Sequence, residues 1–265
     1  MSKSRKLINA IKKGSLHEVR RLVIFEKYDP TMDNNQPIKS AIYYGKIDVV
    51  KFLVTRPGVD VTKDNNDLFR TTAMAGELDI MKFLLTFPGV DPTALNNFAI
   101  QFAALGGHLS VVRFLSTLPG VDTTARDSSA LKNAILQCHT KVVEFLLTLP
   151  EADPAMGDNW PITYASRYGL LDVVKLLVPL PGVDPTAHDN YAVEWAIWNS
   201  HLDVVKFLIT LPGVSTSKCC ANTLYTSHVL NFLKTNCRES KYYKVVTPKM
   251  EIFGNSIDKV VEEYI

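Results

Sequence analysis

At 265 residues, 46% hydrophobic and 21% charged, the chain has ample material for a core and does not have the composition of a disordered segment. Its formal net charge of +2 is close to balance, which excludes a general pull towards nucleic acid or acidic membrane surfaces. The four cysteines, Cys138, Cys219, Cys220 and Cys237, follow no even framework, so a reducing compartment is expected.

From the N-terminus, the basic stretch Met1–Lys6 leads into an apolar segment that Lys12 and Lys13 interrupt. Neither a signal-peptide core nor a run of membrane-spanning length is read, and the expected location is cytoplasmic. A 31-residue period then organises the chain to about residue 217. Leu22, Leu53, Leu84, Leu115, Leu146, Leu177 and Leu208 stand one period apart. So do Gly14, Gly45, Gly76, Gly107 and Gly169, with Cys138 and Ser200 in the two remaining places. A third column reads Leu7, Ile38, Phe69, Ile100, Leu131, Ile162 and Val193, and a fourth is alanine throughout except for Thr72.

Each unit decodes into two short helices. Phe98–Gly106 carries Ile100 and Ala103 on one face, and Gly107 ends it by taking the left-handed conformation. Leu109–Thr117 follows, with Leu109, Val112 and Leu115 forming an apolar stripe until Pro119-Gly120 stops it. Helices of two or three turns fall below the roughly 12–15 residues that an isolated helix needs, so the units must stack. The fold class is therefore all-α, a solenoid of stacked helix–turn–helix repeats. Seven repeats occupy 1–217, a degenerate capping repeat 218–236, and a tail 237–265 ends in a short amphipathic helix at Ser256–Tyr264.

The segment Ala103–Leu115, Asp172–Leu177, and the Pro37-Ile38 and Pro161-Ile162 steps resemble ankyrin repeats. In style the array is similar to those of giant DNA viruses of amoebae and some protists. The resemblance departs in length, since the ankyrin unit is usually 33 residues. The shortening falls before the first helix, so the β-hairpin finger is expected to be blunted. The family's first-helix histidine is also replaced, by Lys39, Arg70, Gln101, Lys132, Thr163 and Glu194.

The resemblance implies a non-enzymatic scaffold that binds one or more partner proteins through its fingers and the concave face of its first helices. Aromatic side chains and arginine are the residues most enriched at interface hot spots. The candidate partner-binding residues are Trp160, Arg167, Tyr168, Tyr191 and Trp198, with a second group at Tyr43 and Tyr44. The competing reading is that these aromatics pack between neighbouring units. A monomer without cofactor or membrane contact is expected, in the host cytoplasm or nucleus if the source is viral.

A basic column on the second helices, Arg20, Lys51, Lys82, Arg113, Lys175 and Lys206, raises a nucleic-acid alternative. Asp48, Asp79, Asp172 and Asp203 stand one turn earlier, and Lys141 and Glu144 reverse the order. That pattern predicts i,i+3 salt bridges on a solvated face, so nucleic acid is not the expected partner. The aspartates at 60, 91, 122, 153 and 184 follow the turn and are read as caps of local amides. No catalytic motif is present, and the spacing of Cys219, Cys220, His228 and Cys237 does not fit zinc. The tail leaves a further alternative, an adaptor recruiting a second partner such as a ubiquitin ligase component.

Overall fold

The computed structural model describes residues 3–216, which form two compact units, the first ending at Ala152 and the second starting at Asp153. Among the described residues every regular element is helical. The first unit holds five helix pairs. They are α1 (Lys3–Lys12) with α2 (Leu16–Arg20), α3 (Met32–Tyr43) with α4 (Ile47–Val54), α5 (Lys63–Ala75) with α6 (Leu78–Leu84), α7 (Ala94–Leu105) with α8 (Leu109–Ser116), and α9 (Ala125–Leu136) with α10 (Thr140–Leu146). The second unit holds α11 (Met156–Arg167) with α12 (Leu171–Leu177) and α13 (Ala187–Trp198) with α14 (Leu202–Leu208). The expected cap at 218–236 and tail at 237–265 lie outside the described residues.

Within each unit the first helices pack in one row and the second helices in another. The periodic columns form the core: the seven leucines from Leu22 to Leu208, the column from Leu7 to Val193, and the small residues from Ala10 to Ala196 are all buried. Burying one such leucine contributes about 1.5–3 kcal/mol, and neither helix of a pair could do so alone. Thr72 satisfies its buried hydroxyl by donating to the Phe69 carbonyl at 2.6 Å. In the first pair α2 runs into a π-helical turn, Arg21–Phe25, where an ion cluster of Arg21 with Glu18 and Glu26, and of Glu26 with Lys6, ties the start of the chain together.

The glycine column takes positive φ as expected, and its two substitutes do too, Cys138 at 59° and Ser200 at 62°. A second constraint acts on this column. His108, His139 and His201 open the second helices and donate from Nε2 to the carbonyls of Met74, Leu105 and Arg167, at 2.9, 3.0 and 3.0 Å. To reach them, each ring lies flat against Gly76, Gly107 or Gly169 of the preceding repeat, where a Cβ would collide with it.

The shortened finger is not a hairpin. Where α3, α5, α7, α9, α11 and α13 begin, three consecutive residues are left-handed, as in Asp64-Asn65-Asn66 with φ of 54°, 56° and 62°. This conformation costs an ordinary residue about 1–2 kcal/mol, which explains the run of asparagine and aspartate there. The third asparagine also holds the turn to the loop that ends its own repeat. Oδ1 of Asn66, Asn97 and Asn159 accepts the amide N–H of Asp91, Asp122 and Asp184 at 3.1, 3.0 and 2.6 Å, and Asn190 does so from Ser215 at 2.9 Å. Pro37 and Pro161 enter the helices just after this turn, where the missing N–H costs nothing.

Candidate partner-binding face

The candidate face of the second unit is built on α11 and α13. Trp160, Tyr164 and Tyr168 lie four residues apart, so their rings climb one side of α11. Trp160 stacks on Tyr164 at 4.1 Å between centroids, and Tyr164 meets Tyr168 at 6.1 Å. On α13 the indoles of Trp195 and Trp198 meet edge to face at 5.6 Å, and Tyr191 stacks on His188 at 5.4 Å. Arg167 joins the two helices, with its guanidinium 4.4 Å from the Trp195 ring and within 6 Å of both Tyr164 and Tyr168.

Five of the seven expected residues are therefore gathered on one pair of helices. Trp198, Tyr191 and Tyr168 are open to solvent, with 57%, 46% and 40% of their surface exposed. Trp160 and Arg167 are half-buried and support them. Some of these aromatics therefore pack between repeats and others project from them. Tyr164 and Trp195 belong to the same cluster and were missed at the sequence level. Their signal was the four-residue spacing along each helix, which a column-by-column comparison of repeats does not reveal.

Tyr43 and Tyr44 lie in the first unit. Tyr43 is 69% exposed and meets Tyr44 edge to face at 5.3 Å. Tyr44 is engaged within the fold, since the Lys12 ammonium sits 5.6 Å from its ring centroid. One repeat on from Tyr43 comes Met74, also prominently exposed, and Leu136 occupies the same position in the fifth pair.

The basic column requires a correction. Lys141 and Glu144 do pair, at 3.0 Å. At five of the six remaining positions the cation leans across to the next repeat and covers an aromatic ring. Arg20 lies over Phe52, Lys51 over Phe83, Lys82 over Phe114, Arg113 over Phe145 and Lys175 over Phe207, at 4.3–6.0 Å. For Lys51, Lys82 and Lys175 the residue one turn earlier is a short, exposed aspartate. The ring beside it instead buries the apolar stem of the lysine and attracts its charge.

The repeated aspartates behave as local caps. The carboxylate of Asp60 accepts from the Thr62 amide and hydroxyl at 2.8 and 2.7 Å, and Asp91, Asp122 and Asp184 repeat the pattern. The hydroxyl of Thr62, with its amide, holds the Asp60 carboxyl below its usual value. Each carboxylate is thereby committed to its own turn. Among the described residues no cluster of three or more His, Cys, Asp or Glu could hold a metal, and no helix is long and apolar enough to cross a membrane. The grouping of Cys219, Cys220, His228 and Cys237 lies outside the described residues.

Residues 69–158 match the family model described as ankyrin repeats, in three copies. Those residues are ankyrin repeats. No curated protein matches it. Ankyrin repeats are in general protein–protein interaction modules and typically not enzymes. In this ankyrin array the place of the usual first-helix histidine has been turned to another use. Arg70 Nη1 donates to the carbonyls of Asp64, at 3.0 Å, and of Asn65, and Gln101 Nε2 to that of Asn96 at 2.8 Å. These side chains satisfy the carbonyls that the left-handed turn leaves outside the helix.

Proposed function

We propose that the chain is a non-enzymatic scaffold that docks a partner protein on the first-helix face of its second unit, with Trp198, Tyr191 and Tyr168 as the contact residues. The observation that carries this reading is the division of labour within the cluster. Three large aromatics stand exposed: Tyr164 and Arg167 back Tyr168, Trp195 backs Trp198, and His188 stacks on Tyr191. Exposed aromatics already fixed in place lose little freedom on binding, which is how a few residues come to dominate an interface. Tyr43 is assigned to a separate contact row on the first unit, with Tyr44 as its support.

The test is quantitative affinity capture in the native cellular setting, with the intact chain against a Tyr168→Ala/Trp198→Ala variant shown by circular dichroism to be folded. Partners held by the intact chain and lost by the variant are the expected result. If the same partners persist on the folded variant, the reading fails. A steep fall in melting temperature for either single variant would assign that ring to packing instead.

A further inference from the structure

We propose, building on the contact row assigned to Tyr43, that the first-helix face of the first two repeats takes an acidic segment of a partner protein, its carboxylates seated among Lys12, Lys13 and Lys46 beside the Tyr43 ring. Lys12 and Lys13 stand exposed at the end of α1. The Lys12 ammonium lies 5.6 Å from the Tyr44 ring centroid, and Tyr44 meets the exposed Tyr43 edge to face at 5.3 Å. From the second repeat Lys46 reaches back across Gly14, with Cδ and Nζ 3.3 and 3.7 Å from where a Cβ would stand. Helices α1 and α3 pack side by side, so three cations and one projecting tyrosine border one another.

The fold does not use these charges. Lys46 occupies the column of His108, His139 and His201, which donate to a carbonyl of the repeat before, and its ammonium makes no such bond. Among the described residues no carboxylate pairs with Lys12, Lys13 or Lys46. Six other cations of these two repeats are engaged, Lys6, Arg21 and Lys39 with carboxylates and Arg20, Lys51 and Arg56 with phenylalanine rings. The charge is also local. Residues 1–62 carry twelve lysines and arginines against six aspartates and glutamates, and the rest of the chain seventeen against twenty-one. Like charges gathered on one face favour a partner of opposite sign and steer its approach.

The extent of the patch selects a peptide. In the third repeat Glu77 takes the lysine column, and its carboxylate covers Gly45 as Lys46 covers Gly14. Arg70 and Lys39 are both paired with Asp67. Beyond Tyr43 the next exposed side chain of the row is apolar, Met74. A nucleic-acid strand gains affinity from a continued run of cations, which ends here after one repeat. A few carboxylates followed by apolar residues match the face as it stands. Neighbouring first helices pack about 8–10 Å apart, the reach of about three residues of extended chain. Apolar side chains about three and six residues from the nearest carboxylate therefore meet Tyr43 and Met74.

The full-length protein is titrated into fluorescein-labelled pentadecapeptides of glycine and serine. Each carries a central triplet of glutamate, lysine or glutamine, with leucines three and six residues to either side so that both chain directions fit. Anisotropy is expected to rise saturably with the glutamate peptide alone, and less steeply in added salt. Lys13→Gln/Lys46→Gln should weaken that binding about threefold to tenfold. Lys51→Gln/Lys82→Gln, which takes the same charge from the second helices, should leave it unchanged. All variants are first shown by circular dichroism to be folded, and Lys13→Gln alone serves if Lys46→Gln is not. The inference is overturned if the lysine or glutamine peptide binds as tightly, if the two double variants weaken binding equally or not at all, or if no saturable response appears up to about 1 mM. Tighter binding of a thymidine dodecanucleotide or of phosphatidylserine vesicles would overturn it too. Glutamine-peptide binding that Tyr43→Ala removes would overturn charge selection while leaving the contact row standing. Glutamate-peptide binding undiminished in folded Tyr43→Ala protein would remove the contact row itself.

Discussion

Cys138 occupies a glycine position, and replacing it should stabilise the fold. Its φ of 59° lies beside the 73° of Gly107 one repeat earlier. The same two hydrogen bonds close both turns. Cys138 N–H donates to Ile135 and His139 N–H to Ala134, at 3.0 and 2.8 Å, as Gly107 and His108 do to Ala104 and Ala103 at 3.2 and 2.9 Å. Glycine therefore fits the existing backbone, and the exposed thiol gives up no core packing. Removing the Cβ relieves about 1–2 kcal/mol of left-handed strain. The greater freedom of glycine in the unfolded chain takes back about 0.5–1 kcal/mol. The net gain is about 0.5–1 kcal/mol, which for a protein of this size raises the melting temperature by about 1–4 °C. Thermal unfolding followed by circular dichroism, in reductant, measures it, with Cys138→Ala as the control that removes sulfur but keeps the Cβ. A Cys138→Gly melting temperature at or below that of the parent would refute the reasoning. An equal gain from Cys138→Ala would place the effect in the thiol.

Other substitutions test neighbouring parts of the argument. Asn97→Ala removes both the acceptor for the Asp122 amide and a residue suited to φ of 64°, so it should cost about 1–3 kcal/mol by urea denaturation. Asn97→Gly should recover part of that loss, and equal losses would deny the backbone contribution. Ser166 is fully buried and its hydroxyl has no partner, at a position where Ile11, Ile42, Ile135 and Ile197 stand in other repeats. Ser166→Ala should raise stability by about 1 kcal/mol, and a lowered melting temperature would show that the hydroxyl has a structural role. In the first repeat, the Arg21 hydrogen bond holds the Glu18 carboxyl below its usual 4.5, and the Lys6 hydrogen bond does the same for Glu26. A carboxyl depressed in the folded state contributes stability above its unfolded pKa and loses it as the pH falls through the folded value. Urea midpoints followed from neutral pH down through 4.5 should therefore fall less steeply for Glu26→Gln than for the parent, and parallel curves would dismiss the contribution.

The core and the helix pairs were legible because their causes repeat. One leucine, one small residue and one left-handed position recur every 31 residues, and Cys138 stands out in the sequence where other repeats use glycine. Two features shared the same period and stayed hidden. The asparagines at 35, 66, 97, 159 and 190 form a visible column, but which amide each one holds depends on how the loop folds back. Lys51, Lys82 and Lys175 were matched with aspartates in their own helix. Their actual partners are phenylalanines 32 residues on, brought alongside only when repeats pack. Contacts between repeats are set by the axial offset of neighbouring helices, and sequence spacing within one helix does not contain it.

The short repeat also changes where a partner is to be met. Three left-handed residues reverse the chain where a longer ankyrin unit would use a hairpin finger. Little of that turn is free to vary. Asparagine Oδ1 secures the loop, the preceding aspartate caps its own turn, and Arg70 or Gln101 reaches back to the carbonyls. A substitution made there for the sake of a partner would disturb the fold. The position two residues before the glycine column is less encumbered, and its occupants differ in kind: Lys12, Tyr43, Met74, Leu105, Leu136, Arg167 and Trp198. Beside it, the leucine column from Leu22 to Leu208 does not change at all. Chemistry that varies between repeats while its framework holds constant belongs to recognition, so specificity is expected along the first helices. Exchanging Trp198 for the leucine found at Leu136 should then alter partner binding while leaving the melting temperature close to that of the parent.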